Sequence, residues 1–120
     1  LLPVVRSYTV LFDFDKSDIT PKAAIELEKI LDVMNQYPAM KIDIRSFTDS
    51  RGTFKYNEKL SDRRAKSTVA WLIKNNVAAE RLTSKGFGES QLVNQCSDGV
   101  KCTEEEHQAN RRSEFIIIEM

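Results

Sequence analysis

A chain of 120 residues with 41% hydrophobic residues is long enough to bury one core, so we expect a single globular domain over residues 1–120. Its 18 Lys and Arg residues balance 18 Asp and Glu residues, and the missing basic surplus argues against a nucleic-acid-binding protein. No apolar run approaches the roughly 20 residues of a membrane-spanning helix, so we expect no direct membrane insertion.

The first predicted element is a strand that ends in a polar loop. Tyr8, Val10, Phe12 and Phe14 alternate with other residues and give the strand an apolar face, which ends at Asp15. We interpret the aromatic residues of this strand as core. Phe14 is the exception, because its place next to the loop makes it a candidate for contact with a ligand.

A helix is predicted after this loop. Thr20 is suited to be its N-cap and Pro21 its first residue, and Tyr37-Pro38 is expected to end it. Its apolar residues keep helical spacing and predict a helix that faces the core. These residues are Ala23, Leu27, Ile30, Leu31 and Met34.

A second strand and a second helix follow. Met40, Ile42 and Ile44 alternate with charged residues, so this strand is expected to bury one face. It leads into a turn at residues 48–52 and then into a long amphipathic segment, predicted to be helical from about residue 53 to residue 75.

Two stripes run along this second helix if each residue advances by about 100°. The first stripe is apolar and is expected to cover a sheet; its members are Ala65, Val69, Leu72 and Ile73. The second stripe is mostly polar and ends in a guanidinium; its members are Thr53, Asn57, Leu60 and Arg64. We interpret Trp71 as a packing residue.

The polar stripe begins next to the loop of Asp49, so Asp49 and Arg64 are predicted to flank the strand–helix junction. Such a pair suits a zwitterionic ligand, because Arg binds a carboxylate through two hydrogen bonds and Asp binds an ammonium. Spacing alone leaves open the alternative that the two residues pair with each other or face solvent.

A third strand, closed by glycines at residues 82–88, is predicted after a short turn at residues 78–81. The irregular segment that follows contains Cys96 and Cys102 around an Asp98-Gly99 turn, so a local disulfide is plausible. Free thiols, or a metal site that includes His107, are alternatives, but the spacing matches no common zinc motif and we predict no metal. A disulfide would indicate an oxidising compartment.

The end of the chain is predicted to form a short helix and a strand. Thr103 and Glu106 have the spacing of a capping box, so a helix is expected through His107 to Asn110. The glutamates at residues 104–106 suit a solvated helix N-terminus, with calcium binding as an alternative.

The apolar run at residues 113–118 predicts a central strand covered on both faces. Arg111 precedes it as a candidate ligand contact, with a structural ion pair as the alternative.

The order of predicted elements is β-α-β-α-β-(short α)-β. It predicts an α/β (α+β) two-layer sandwich with a mixed sheet and helices on one face.

The central part of the chain contains a spaced motif, Thr48-Asp49-x-x-Gly52-x4-Asn57-x2-Leu60-Ser61-x2-Arg64-Ala65-x3-Val69, with Phe12-Asp13-Phe14-Asp15 before it and Asn110-Arg111-Arg112 after it. This motif resembles the signature of the OmpA-like domain family. The family includes C-terminal domains of the outer-membrane proteins of that name, peptidoglycan-associated lipoproteins and flagellar stator B subunits. The chain departs from the family pattern in having Ser46-Phe47 where Gly-His is common.

The resemblance implies non-catalytic binding of peptidoglycan through the meso-diaminopimelate of the stem peptide, without a cofactor. Asp49 would take the distal ammonium and Arg64 the distal carboxylate. Other positions that match the neighbourhood of the ligand are Thr53, Asn57, Leu60, Phe14 and Asp15.

The resemblance also implies a periplasmic location and a role in tethering the outer membrane to the cell wall. Leu1 is neither an initiator Met nor part of a signal peptide, so we expect the chain to be the C-terminal part of a longer outer-membrane protein or lipoprotein. Attachment to the outer membrane would then lie outside this sequence.

Two other functions are weighed against wall binding. A cell-wall hydrolase would use Asp49 or Asp15, but the chain has one His and lacks a Gly-x-Ser-x-Gly elbow, a phosphate-binding glycine loop and a metal motif, so we do not expect an enzyme. A module that docks another periplasmic or envelope protein through residues 96–106 is compatible with wall binding.

Overall fold

The computed structural model describes the backbone of residues 4–120 and the side chains from residue 9 onward. Within this range the strands are β1 (Val4–Leu11), β2 (Lys41–Ser46), β3 (Leu82–Gly86) and β4 (Arg112–Glu119). The α-helices are α1 (Pro21–Gln36), α2 (Phe54–Lys74) and α3 (Glu104–Gln108), and a 3-10 turn spans Ala79–Arg81.

The four strands form one mixed sheet in the order β1-β4-β2-β3. Strand β4 is antiparallel to both of its neighbours, whereas β2 and β3 are parallel. The predicted α/β fold with a mixed sheet is therefore confirmed, and so is the central position of β4.

The expectation that β4 is covered on both faces was wrong. Phe115 and Ile117 are buried, but Ile118, on the opposite face, is 43% exposed. Successive side chains of a strand point to opposite faces, and the helices cover only one of them.

Local signals at the helix starts act as the sequence predicts. The hydroxyl of Thr20 accepts a hydrogen bond from the backbone N–H of Ala23 at 3.1 Å, and Pro21 begins α1. Thr53 caps α2 in the same way, and Asn75 ends it. The core between the helices and the sheet contains Val10, Phe12, Leu27, Met34, Ile42, Ile44, Leu72 and Phe115.

Two other predictions were wrong, one about the end of a strand and one about a buried side chain. Strand β1 ends at Leu11 rather than near Phe14, because the chain turns at residues 13–16, where the N–H of Lys16 bonds to the carbonyl of Asp13 at 3.2 Å. Ile73 is 43% exposed instead of covering the sheet, since its neighbour Leu72 takes the buried position. Trp71 packs against the core as predicted, and the side chain of Tyr8 lies outside the described residues.

Within residues 4–120, no helix combines the length and the apolar character that crossing a bilayer requires.

Strand β3 approaches α2 so closely that its last residue has no room for a side chain. The N–H of Gly86 donates to Oδ1 of Asp62 at 2.9 Å. A Cβ atom on Gly86 would lie 2.4 Å from both the backbone nitrogen of Asp62 and the hydroxyl of Ser61. The contact fixes the distance between the helix and the edge of the sheet.

Replacement of Gly86 with Ala is expected to lower the free energy of unfolding by about 1–3 kcal/mol, because the backbone of α2 or β3 must move to make room for the methyl group. Urea denaturation measures the change. Ser84→Ala, at an exposed position of the same strand, is the control and should stay within about 0.5 kcal/mol of the wild type. If Gly86→Ala unfolds like the control, the close packing of β3 on α2 is not present in solution.

Candidate functional site

A cavity of about 290 Å³ opens where the β1–α1 loop, the β2–α2 loop and the polar stripe of α2 meet. The side chains around it come from four separate parts of the chain. They are Phe14, Asp15, Thr48, Asp49, Arg51, Gly52, Tyr56, Asn57, Leu60, Arg64 and Arg111.

All but one of the ligand-contacting residues predicted from the sequence line this cavity. The exception is Thr53, whose hydroxyl accepts a hydrogen bond from the N–H of Tyr56 at 3.1 Å. Thr53 shares the stripe of Asn57 and Arg64, but its position at the start of the helix makes it the N-cap of α2 and keeps it out of the cavity wall.

Arg64 is fully buried and binds three backbone carbonyls with its guanidinium. Nε donates to the carbonyl of Lys16 at 2.9 Å and Nη2 to that of Asp13 at 3.1 Å, both in the β1–α1 loop. Nη1 donates to the carbonyl of Phe47 at 3.1 Å, at the end of β2. A single side chain of α2 therefore fixes both loops that frame the cavity.

The guanidinium of Arg64 has no carboxylate within 4 Å in the part of the chain that the structure describes. Burial, and then the positive charge of Arg111, lower the pKa of Arg64 to about 10, so that it stays protonated at neutral pH. The cavity thus has a buried positive charge in its wall that carbonyl dipoles solvate and that no carboxylate of the described residues contacts directly.

Asp49 is also buried but is paired with two other arginines. Its Oδ2 accepts hydrogen bonds from Arg51 Nη2 at 2.9 Å and from Arg111 Nη1 at 3.1 Å, and its Oδ1 accepts one from the N–H of Arg51 at 2.9 Å. Asp49 and Arg64 therefore neither pair with each other nor face solvent. Burial alone would raise the pKa of Asp49, but the hydrogen bonds from Arg51 and Arg111 outweigh it and lower the pKa.

Arg111 forms a structural ion pair, which was one of the two roles considered for it from the sequence, and it also lines the cavity. Its Nε donates to the carbonyl of Phe12 at 2.8 Å, and its Nη2 donates to Oε1 of Glu104 at 2.7 Å. With Asp49 as a third partner, this buried guanidinium joins the end of β1, the β2–α2 loop and α3.

The backbone of the Asp49 loop is held by α2 through Asn57. The amide Nδ2 of Asn57 donates to the carbonyl of Asp49 at 3.3 Å and to Oε1 of Glu89 at 3.2 Å. Burial and the nearby carboxylate of Asp98 raise the pKa of Glu89. Gly52 has a φ of +97°, which a residue with a side chain rarely adopts, and a Cβ there would lie 3.4 Å from Oδ1 of Asn57.

The dipeptide Ser46-Phe47, where the family commonly has Gly-His, is part of the core beneath the loop. The Phe47 ring stacks on Phe87 with 5.6 Å between centroids, and the Arg112 guanidinium lies 4.0 Å from its centroid. The hydroxyls of Ser46 and Ser113 are 2.6 Å apart. Packing and a hydroxyl pair thus support the loop at these two positions.

Aromatic side chains form the rim of the cavity. The Arg51 guanidinium lies 4.2 Å from the centroid of Phe14, which is 51% exposed. The hydroxyl of Tyr56 donates to Oδ1 of Asp15. Asp15 adopts a φ of +59°, in the left-handed region that Asp tolerates better than most residues.

Five residues at the site were not predicted to contact a ligand: Thr48 and Gly52, which belong to the signature, and Arg51, Tyr56 and Glu104. Oγ1 of Thr48 and Nε of Arg51 are buried and have no hydrogen-bond partner among the described residues. A buried polar atom without a partner is costly, so both atoms are candidates for contact with a ligand. Tyr56 lies one residue before Asn57, so a wider polar stripe would have included it.

The cysteines form the disulfide predicted as one of three alternatives. Cys96 and Cys102 are bonded, with 6.0 Å between their Cα atoms, so neither thiol is free to bind a metal together with His107. The bond closes the loop immediately before Thr103, which caps α3 in the predicted capping box. His107 is buried and does not line the cavity.

Comparison with known proteins gives consistent matches. A family model described as OmpA family matches residues 11–108. The chain is 41% identical over 108 residues to outer membrane porin F of Pseudomonas fluorescens, covering 90% of this chain and 32% of the porin. It is 33% identical over 96 residues to outer membrane protein A of Escherichia fergusonii, covering 77% of this chain and 39% of that protein. It thus spans well under half the length of either relative.

A solved structure with the same fold is that of the peptidoglycan-associated lipoprotein from Burkholderia pseudomallei. The two structures superpose with a TM-score of 0.80 at 25% sequence identity. The match covers 91% of this chain and 88% of that chain.

Asp49→Asn is expected to lower the free energy of unfolding at pH 7 by about 2 kcal/mol, because Arg51 and Arg111 lose a buried counter-charge. The pKa of Asp49 is lowered in the folded state, so its charge stabilises the fold above about pH 4, and this stabilisation is lost as the pH falls through the folded pKa. The difference between wild type and variant should therefore be constant from about pH 7 to pH 5 and shrink below about pH 4.

Urea denaturation at several pH values tests this expectation. Asp18→Asn is the control, because Asp18 is exposed and has no ion pair among the described residues. If the difference in free energy of unfolding between wild type and Asp49→Asn grows as the pH is lowered, the ion pairs do not lower the pKa of Asp49.

Proposed function

Since this chain belongs to the OmpA family, we propose that it binds peptidoglycan without catalysis, through the meso-diaminopimelate of the stem peptide, and so anchors the outer membrane to the cell wall. Residues 1–120 would act as one periplasmic domain, the C-terminal part of a longer outer-membrane protein or lipoprotein. The attachment to the outer membrane would be supplied by the rest of that protein.

The observation that carries this proposal is the unneutralised guanidinium of Arg64 in the cavity wall. Arg has five N–H donors, and three of them bind the carbonyls of Asp13, Lys16 and Phe47. One N–H on each terminal nitrogen is left for a ligand. A ligand carboxylate that binds there would form the ion pair that Arg64 lacks among the described residues. Because an unpaired buried charge is costly, this ion pair favours binding of an anion.

Asp49 is suited to the ammonium of the same ligand. A carboxylate has about four lone-pair positions, of which the Arg51 and Arg111 donors occupy three. The remaining position is on Oδ1. Its lowered pKa keeps Asp49 ionised at neutral pH, so that it offers a permanent charge to an ammonium.

The remaining predicted contacts have roles that follow from their chemistry. Leu60 offers an apolar surface to the methylenes between the two charged ends of the ligand. Phe14 and Asp15 at the rim, and Asn57 behind Asp49, would orient the peptide, with Arg111 acting through Asp49.

Binding is favoured over hydrolysis by the lowered pKa of Asp49. A general acid or base works best with a pKa near the working pH, whereas the ion pairs lower that of Asp49. Docking of another envelope protein through residues 96–106 stays a prediction that is compatible with wall binding.

Stem peptides that contain diaminopimelate are expected to bind more tightly than peptides with lysine, which has the ammonium but not the distal carboxylate. Leaving Arg64 without its anion costs about 1–3 kcal/mol, equivalent to roughly a five- to 150-fold loss of affinity. Calorimetric titration of the wild-type chain with the two peptides measures this ratio. Equal affinity for both would exclude Arg64 as the carboxylate site.

Arg64→Lys tests the same contact from the side of the protein, since it keeps the charge but removes the planar fork. It should lower affinity for the diaminopimelate peptide by at least about tenfold while affecting the lysine peptide little. Lys66→Arg is the control, because Lys66 is exposed on α2 and does not line the cavity. Parallel urea denaturation shows whether the loops held by Arg64 remain folded.

Purified chain incubated with isolated peptidoglycan sacculi is expected to sediment with them and to release no soluble fragments. Chromatography of the supernatant measures release, with a known wall hydrolase as the positive control. Muropeptides that accumulate in proportion to the amount of the chain, and disappear with Asp49→Asn, would show an enzyme instead.

A further inference from the structure

Glu104, the first residue of α3, lies next to the cavity but does not line it. Its Oε1 accepts a hydrogen bond from Arg111 Nη2 at 2.7 Å, and its Oε2 lies 3.2 Å from Arg51 Nη2. These are the two guanidiniums that also bind Asp49. The side chain of Glu104 is 60% exposed, whereas those of Asp49 and Arg111 are almost fully buried.

The charges around Asp49 pose a problem for the binding of an ammonium. Three arginines but only two carboxylates, Asp15 and Asp49, line the cavity. Two of the arginines contact Asp49 directly, so that without Glu104 the immediate surroundings of its carboxylate would carry an excess positive charge. A ligand ammonium that approaches Asp49 would be repelled by this excess.

We propose that Glu104 is a positioning residue that makes Asp49 competent to bind a ligand ammonium, by neutralising the excess charge of Arg51 and Arg111. With Glu104 included, three carboxylates stand against the three arginines at the cavity; Glu89, which bonds to Asn57 behind Asp49, does not line the cavity. This inference rests on the proposed function and assigns to α3 a role in recognising one half of the ligand.

The fold holds Glu104 in this position by several independent contacts. Thr103 and Glu106 form a capping box that fixes the first turn of α3. The carbonyl of Glu106 accepts a hydrogen bond from Asn94 Nδ2 at 2.8 Å. The Cys96–Cys102 disulfide immediately precedes the helix, and the carbonyl of Cys96 accepts a hydrogen bond from the hydroxyl of Ser50, next to Asp49, at 2.5 Å.

The ionisation of Glu104 is consistent with this role. The hydrogen bond from Arg111 lowers its pKa, and the charges of Arg111 and Arg51 add to the effect. Glu104 is therefore negatively charged throughout the neutral range.

The test compares Glu104→Gln with Glu105→Gln. Glu105 is exposed, lies in the same first turn and makes no ion pair among the described residues. Both variants therefore change the net charge by the same amount and remove one negative charge from the first turn of α3. The probes are a meso-diaminopimelate stem tripeptide and the same peptide with its distal amine acetylated, which keeps the distal carboxylate but has no distal ammonium. NMR titration measures the affinities of both probes, including weak ones.

Glu104→Gln is expected to weaken binding of the tripeptide about three- to tenfold, since one charge several ångströms from the ammonium is removed. It should leave binding of the acetylated peptide unchanged or slightly tighter. Glu105→Gln should leave both affinities as in the wild type.

Each other outcome is decisive. If the two variants bind the tripeptide equally well, or if Glu104→Gln weakens both probes to the same extent, Glu104 has at most a structural role and the inference is overturned while wall binding stands. If the wild-type chain binds neither probe, the proposed function fails first, and the inference fails with it.

Discussion

The burial of one guanidinium is the constraint on which the rest of the site depends. A buried charge is tolerated only where polar groups surround it, and Arg64 obtains these from three backbone carbonyls on two loops. The carbonyls of Asp13 and Lys16 must therefore turn inward. The two residues between them, Phe14 and Asp15, are exposed at the rim of the cavity, and Asp15 takes a left-handed conformation.

The two charged ends of the site are built in opposite ways. Arg64 is solvated by dipoles and has no anion among the described residues, so it favours a negative ligand group. Asp49 is paired with two guanidiniums, and Glu104 contacts both of them. Separation of these two environments within one small cavity gives the electrostatic asymmetry that the proposed zwitterionic ligand end would require.

Much of the fold could be predicted because its signals are local. Thr20-Pro21 starts α1, Thr53 caps α2, and the alternation around Ile42 and Ile44 matches β2. Predictions failed where burial depended on distant residues. The end of β1 is set by the turn at residues 13–16, whose carbonyls bind Arg64, and the exposure of Ile118 follows from helices that cover a single face.

The sequence by itself determined the order of elements, the family, and the alignment of Asn57, Leu60 and Arg64 on one helix face, because a regular helix repeats every 3.6 residues. Only the tertiary structure decided which charges meet. Asp49, Arg111 and Glu104 come from three separate segments, and Glu104, which is exposed as the sequence predicts, also pairs with the buried Arg111. Helical and strand periodicity describe neighbours along one element. They carry no information on ion pairs between side chains brought together only when the sheet, α2 and α3 pack.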